Sequence, residues 1–110
     1  MARKNTMRMV RALVNGKQAS SKNDKVKGGV WEYHGNKIAY YQEGELFVTL
    51  CNYGTVTTRE RLNQLLTSLG SGRVGFAQRN KEQVIVVDAK IHLEIHASDV
   101  YTVKELEAMV

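Results

Sequence analysis

Thr57-Thr58-Arg59-Glu60-Arg61-Leu62-Asn63 is the stretch that decides how this 110-residue chain folds. A threonine followed three residues later by a glutamate is a capping box: the hydroxyl accepts from the amide of Glu60 and the carboxylate reaches back. Leu62, Leu65, Leu66 and Leu69 then recur at i, i+3, i+4 and i+7, and Gly70 follows as a stop. The spacing predicts a helix from Thr57 to Leu69 with one leucine face against a core.

Upstream of that helix the texture is extended. Val30-Trp31-Glu32-Tyr33-His34, then Lys37 to Gln42, then Glu45 to Cys51 are three short runs rich in β-branched and aromatic residues. Gly35-Asn36 and Glu43-Gly44 are natural two-residue hairpin connections between them. Downstream, residues 74–79, 83–87 and 91–96 read as three more strands, with turns at Asn80-Lys81-Glu82 and Asp88-Ala89-Lys90. Thr102 and Glu105 repeat the capping-box spacing before a short amphipathic helix that carries Val103 and Leu106. The expected order is α-βββ-α-βββ-(α), an α+β fold with antiparallel sheet.

The chain's start is different. Asn5-Thr6 is a candidate cap for a first helix running to about residue 15, with Gly16 ending it. On a helical wheel Met7, Val10, Leu13 and Val14 share one side, while Lys4, Arg8 and Arg11 gather on the other in a band about 60° wide. Residues 17–29, Lys-, Ser- and Gly-rich with no periodicity, are expected to be a mobile loop or an irregular edge segment. The expectation is a single domain over 1–110: a basic helix and mobile loop at 1–29, the α+β core at 30–96, and a tail at 97–110 with a possible short helix.

Charge is the strongest hint of a partner. The formal net charge is +5. Residues 1–27 hold eight Lys or Arg against Asp24 alone, giving +7, and residues 28–110 hold eight basic against ten acidic residues, giving −2. Clustered cations suit an anionic partner such as nucleic acid. Trp31, Tyr33, Tyr40 and Tyr41 lie just downstream, where exposed rings would serve single strands as stacking platforms and buried ones would be core. Arg59 and Arg61 at the start of the central helix are a second candidate pair. Cations are disfavoured beside a helix N-terminus, so they ask for an anionic partner or a nearby carboxylate.

Other residue patterns point away from catalysis. One cysteine, Cys51, allows no internal disulfide and suits a reducing cytoplasm. No apolar run approaches the roughly 18 residues of a membrane span, and the N-terminus lacks the apolar core of a signal peptide. His92, Glu94 and His96 share one face of an extended strand. The two histidines then stand about 13 Å apart, too far for one metal ion, and Ile91, Leu93 and Ile95 are expected on the buried side. His34 reads as a turn residue and Cys51 as a buried thiol. The glycine pairs match neither a phosphate loop nor a dinucleotide fingerprint. No metal and no cofactor are expected, and no enzymatic activity.

The pairing of His34-Gly35-Asn36-Lys37-Ile38-Ala39 with Thr57-Thr58-Arg59-Glu60-Arg61-Leu62-Asn63 resembles a family of small proteins of tailed bacteriophages, over about residues 5–96. Members open with a short helix ending in an Asn-Gly-Lys-like stretch, here Asn15-Gly16-Lys17. The chain departs from the pattern at Asn52-Tyr53-Gly54, where members have Gly-Trp, and at Asp88-Ala89, where they turn on Asn-Gly. The resemblance implies phage origin and a role in the cytoplasm of an infected bacterium, and it carries over no functional residues. The leading expectation is a binding protein that meets nucleic acid through Lys4, Arg8, Arg11, Lys17, Lys22, Lys25 and Lys27, with Arg59 and Arg61. The alternative is a host-takeover or anti-defence inhibitor whose basic surface meets an acidic host protein. A virion or assembly component is a third, weaker reading.

Overall fold

The computed structural model describes the backbone of residues 2–110 and the side chains of residues 4–110. The leucine pattern forms α2, Val56–Ser68. Leu62, Leu65 and Leu66 are fully buried, and Leu69 packs on the core they form. The start of the helix corrects the sequence reading. The cap is Thr55, whose hydroxyl accepts from the amide of Thr58. Thr57 lies inside the first turn and is hydrogen-bonded to the hydroxyl of Tyr33 at 2.8 Å instead. With threonines at 55, 57 and 58, the position that the tyrosine claims is lost to capping.

α1 spans Ala2–Val14. Asn5 and Thr6 therefore lie within the helix, and Thr6 is buried rather than capping. The buried stripe is Thr6, Met9, Val10 and Leu13 with Ala12, rotated from the expected face, so that Val14 is 41% exposed. Gly16 adopts a left-handed φ of +67°, and Lys17 N–H closes on Ala12 carbonyl at 2.8 Å. That is a Schellman end.

Residues 17–29 form more structure than the sequence promised. β1 (Ala19–Ser20) and β2 (Asp24–Lys27) join β3 (Val30–Tyr33), β4 (Asn36–Gln42) and β5 (Glu45–Thr49) in one antiparallel meander. The reason is alternation: Asp24 and Val26 point inward and are buried, while Lys25 and Lys27 point outward. After α2, β6 (Val74–Arg79), β7 (Glu82–Val87) and β8 (Lys90–Ile95) build a separate three-stranded sheet. The tail then returns as β9 (Val100–Thr102), pairing with β5 to complete a six-stranded sheet in the order β1-β2-β3-β4-β5-β9. It ends in α3, Val103–Glu107, whose Thr102–Glu105 capping box is formed. The fold is α+β with antiparallel sheets, richer by β1, β2 and β9 than expected.

Five two-residue loops make the hairpins: Gly28-Gly29, His34-Gly35, Glu43-Gly44, Asn80-Lys81 and Asp88-Ala89. Both central residues of each have positive φ, the type I′ geometry that matches strand twist.

The core lies between the helices and the inward faces of both sheets. Three of the four free strand edges, those of β1, β6 and β8, are blunted. β1 is two residues long, and Arg8 donates to its Ser20 carbonyl at 2.7 Å. Asn63 of α2 donates to the carbonyl of Phe76 at 2.9 Å and accepts from its amide at 2.7 Å, standing in for a missing neighbour of β6. β8 carries an irregularity near His92, opposite Ile85 and Val86. Such devices discourage edge-to-edge pairing.

Candidate nucleic-acid interface

Arg61 is not a surface cation. It lies on the α2 stripe that holds Thr58, Leu62, Leu65 and Leu66, and it is 6% exposed. Its Nε and Nη2 each meet an oxygen of Asp24 at 2.9 Å, a bidentate ion pair. Trp31 Nε1 donates to Asp24 Oδ1 at 2.9 Å, Arg61 Nη1 donates to the Thr57 carbonyl, and the guanidinium lies 3.8 Å from the Tyr33 ring centroid. Burial alone would raise the Asp24 pKa, but the hydrogen bonds from Arg61 and Trp31 and the Arg61 charge outweigh it and hold the carboxyl below its usual value. For Arg61 burial pulls the other way, and the bond to Asp24 and its charge outweigh that and raise the guanidinium. The one acidic residue of the basic N-terminal region therefore ties β2 to α2.

Arg59 is also engaged within the protein. It donates to the Gly54 carbonyl at 2.8 Å and to the side-chain oxygens of Gln78 and Gln83. Gln83 fills the space where a Cβ on Gly54 would fall, only 2.8 Å away. The Arg59–Arg61 pair thus finds its partners internally: a carboxylate for Arg61, carbonyl and amide oxygens for Arg59.

The N-terminal cations are exposed, but they do not form one patch. Lys4, Arg8 and Arg11 lie on α1 opposite its buried stripe. α1 packs on the inward face of the large sheet, over β1, β2 and β3. Lys25 and Lys27 alternate with buried Val26, so they rise from the opposite, outward face. Lys17 and Lys22 are exposed on the loops that flank β1. The side chain of Arg3 lies outside the described residues.

On the outward face the strand register assembles a group that the sequence did not reveal. Lys25 stands opposite Glu32 and Lys27 opposite Val30, while β4 sets Lys37 opposite Glu32 and Tyr40 opposite Val30. Tyr40 is in turn opposite Phe47 of β5. Their rings stack at 5.3 Å between centroids and 8° between planes, both half-buried. Lys37 Nζ lies 4.2 Å from the Tyr40 ring centroid. Lys25, Lys27, Val30, Glu32 and Lys37 line one shallow depression of about 320 Å³. Of the four aromatics near the basic region, Trp31 and Tyr33 are core, and Tyr41 shares the inward side with Leu46. Tyr40 alone is outward.

The remaining candidates are dispersed. His92 and Glu94 are exposed on β8 and His96 lies past its end. The expectation of one covered face on β8 is corrected: Ile95 is buried, Leu93 is 40% exposed on this outermost strand, and Ile91 is 47% exposed because the irregularity at His92 sets it opposite Val86, on the other face from Leu93, which pairs with Ile85. Among the described residues no group of three or more His, Cys, Asp or Glu is placed to share a metal ion, and no helix is long and apolar enough to cross a membrane. His34 occupies a turn at φ 52°, with its ring tilted against Tyr33 and edge-on to Tyr53. A second hollow, of about 210 Å³ between α1 and α2, is lined by Thr6, Glu60, Asn63, Gln64 and Thr67 and contributes a carboxylate rather than a cation.

A small α+β protein with exposed cations on both sides of its large sheet and an open sheet face is what fold and surface define. Residues 2–105 match the model of the Kyanoviridae Gp96 protein family, and the chain belongs to that family of phage proteins. The match runs past the expected 5–96 to take in β9 and the start of α3. No curated protein and no solved structure matches the chain.

Proposed function

We propose that this phage protein acts by binding, without catalysis, and that its partner in the infected bacterial cytoplasm is nucleic acid, met through the basic N-terminal region. The observation that carries the reading is the state of the cations. Lys4, Arg8, Arg11, Lys17, Lys22, Lys25 and Lys27 are all exposed, and the two described ion pairs, Arg61–Asp24 and Arg73–Asp88, use none of them. Exposed and unneutralised, they are available to phosphates, whose counterion release drives binding. Arg59 and Arg61 are left out of this surface because they are spent on internal contacts.

Fluorescence anisotropy with labelled single- and double-stranded DNA and RNA tests it across salt. Contact with about four phosphates of a single strand should lower affinity about 50-fold between about 50 and 200 mM salt. No binding of any of these at about 50 mM salt would refute the reading. A host protein that copurifies at moderate salt would then make the inhibitor alternative the better one.

A further inference from the structure

We infer that the outward face of the six-stranded sheet is a site for single-stranded nucleic acid, with bases on Tyr40 and Phe47 and phosphates on Lys25, Lys27 and Lys37. This rests on the nucleic-acid reading above and goes beyond it in naming the face, the rings and the form of the ligand.

The placement of the residues carries the inference. β2 to β5 present most of their outward side chains exposed or half-buried, Thr49 at the end of β5 being the buried one, with the helices packed on the other side. Two stacked aromatic rings on such a face are apolar surface left to solvent in the middle of a sheet. Every base offers a π-face to rings of this kind, and single strands use them without reading sequence. A duplex keeps its bases paired inside and offers only phosphates, so rings on a broad sheet would gain nothing from it. Lysines border the pair, Lys25 and Lys27 from β2 and Lys37 from β4, all three around one depression. A base that stacks on Tyr40 displaces the Lys37 ammonium from that ring and leaves it beside the adjoining phosphate. From β2 to β5 is three strand spacings, about 14 Å, a span for roughly two to four nucleotides at 3.4 Å or more each. Glu32 sits among the three lysines. One carboxylate against three ammonium groups leaves the depression cationic but weakens its hold on phosphate.

The test compares a labelled single strand of about 12 nucleotides, as DNA and as RNA, with the matching duplex, using the full chain. The parent protein should bind single strands at least ten-fold more tightly than duplex. Tyr40→Ala should weaken single-strand binding roughly 5- to 150-fold and leave duplex binding unchanged. Tyr40→Leu, which keeps apolar contact with Phe47 but removes the ring, should do the same if Tyr40→Ala proves unfolded by circular dichroism. Lys37→Gln should flatten the salt dependence by about 0.7 log units per log unit of salt. A stronger response to RNA than to DNA, or the reverse, would identify which single strand is read. Equal affinity for duplex, or parent-like binding by Tyr40→Leu, would overturn the site while the broader nucleic-acid reading stood. So would loss of binding only when Arg8 and Arg11 are reversed to Glu, which would put the ligand on α1. No binding by any oligonucleotide would overturn both.

Discussion

Asp24→Asn is the sharpest perturbation of this fold, because it keeps the shape of the side chain and removes its charge. In the parent, Arg61 is 6% exposed and its guanidinium is matched by both Asp24 oxygens at 2.9 Å. With asparagine, one oxygen can still accept from Trp31 or Arg61, but the other position becomes an NH2 group facing a donor. Arg61 stays charged, since its pKa lies far above neutrality. Breaking one side of a buried ion pair costs about 3–5 kcal/mol, because the surviving charge is desolvated without compensation. At roughly 4 °C per kcal/mol for a domain of this size, the melting temperature should fall by about 12–20 °C. Urea unfolding followed by Trp31, the one tryptophan, reads the effect at the site itself, since its indole bonds Asp24. The depressed Asp24 pKa adds an acid arm. Its contribution to stability is fully present above the unfolded value near 3.8 and is lost as pH falls through the lower folded value. The stability gap between parent and Asp24→Asn should therefore be constant from pH 7 down to about 5 and narrow below about pH 4. A gap under about 1 kcal/mol at neutral pH would refute the claim that this pair ties the N-terminal region to α2.

Thr55→Ala should cost about 1 kcal/mol by loss of the cap, and Thr57→Ala should act instead through Tyr33; equal helix fraying in the two variants by hydrogen exchange would contradict the assignment. Ala89 adopts φ 66° without being glycine, so Ala89→Gly should relieve about 1 kcal/mol of strain and raise the melting temperature, and a lower one would show that the turn is not strained. Glu32→Gln removes the carboxylate from the lysine-lined depression and should tighten single-strand binding about three-fold at low salt, from a repulsion of about 0.7 kcal/mol at 6 Å in water; unchanged affinity would place the phosphates elsewhere.

Much of this architecture could be read from residues alone, and the exceptions have physical causes. The leucine period of α2 and the hairpins from Val30 to Ile95 stand out because apolar spacing there follows the element period. β2 was hidden because its alternation is written as Asp24-Lys25-Val26-Lys27, where only one residue is apolar and the buried acid has its partner 37 residues away. A signal for Arg61 was present in the chain: positions 58, 61, 62, 65 and 66 form one helical stripe, so an arginine at 61 must face the core, and Asp24 is the lone acid of the first 27 residues. Lys25, Lys27, Lys37, Tyr40 and Phe47 share a face only through the pairing register and the irregularity between Trp31 and Glu32, and no local pattern encodes that. The N-terminal cations look like one patch along the chain, yet the sheet lies between α1 and the outward lysines.

The most direct test of the binding face is an amide chemical-shift titration of isotope-labelled protein with a short single strand. Saturable shifts are expected at Lys25, Lys27, Lys37, Tyr40 and Phe47, with the amides of β7 and β8 unmoved. Shifts confined to α1, or none along β2 to β5 at saturation, would contradict it.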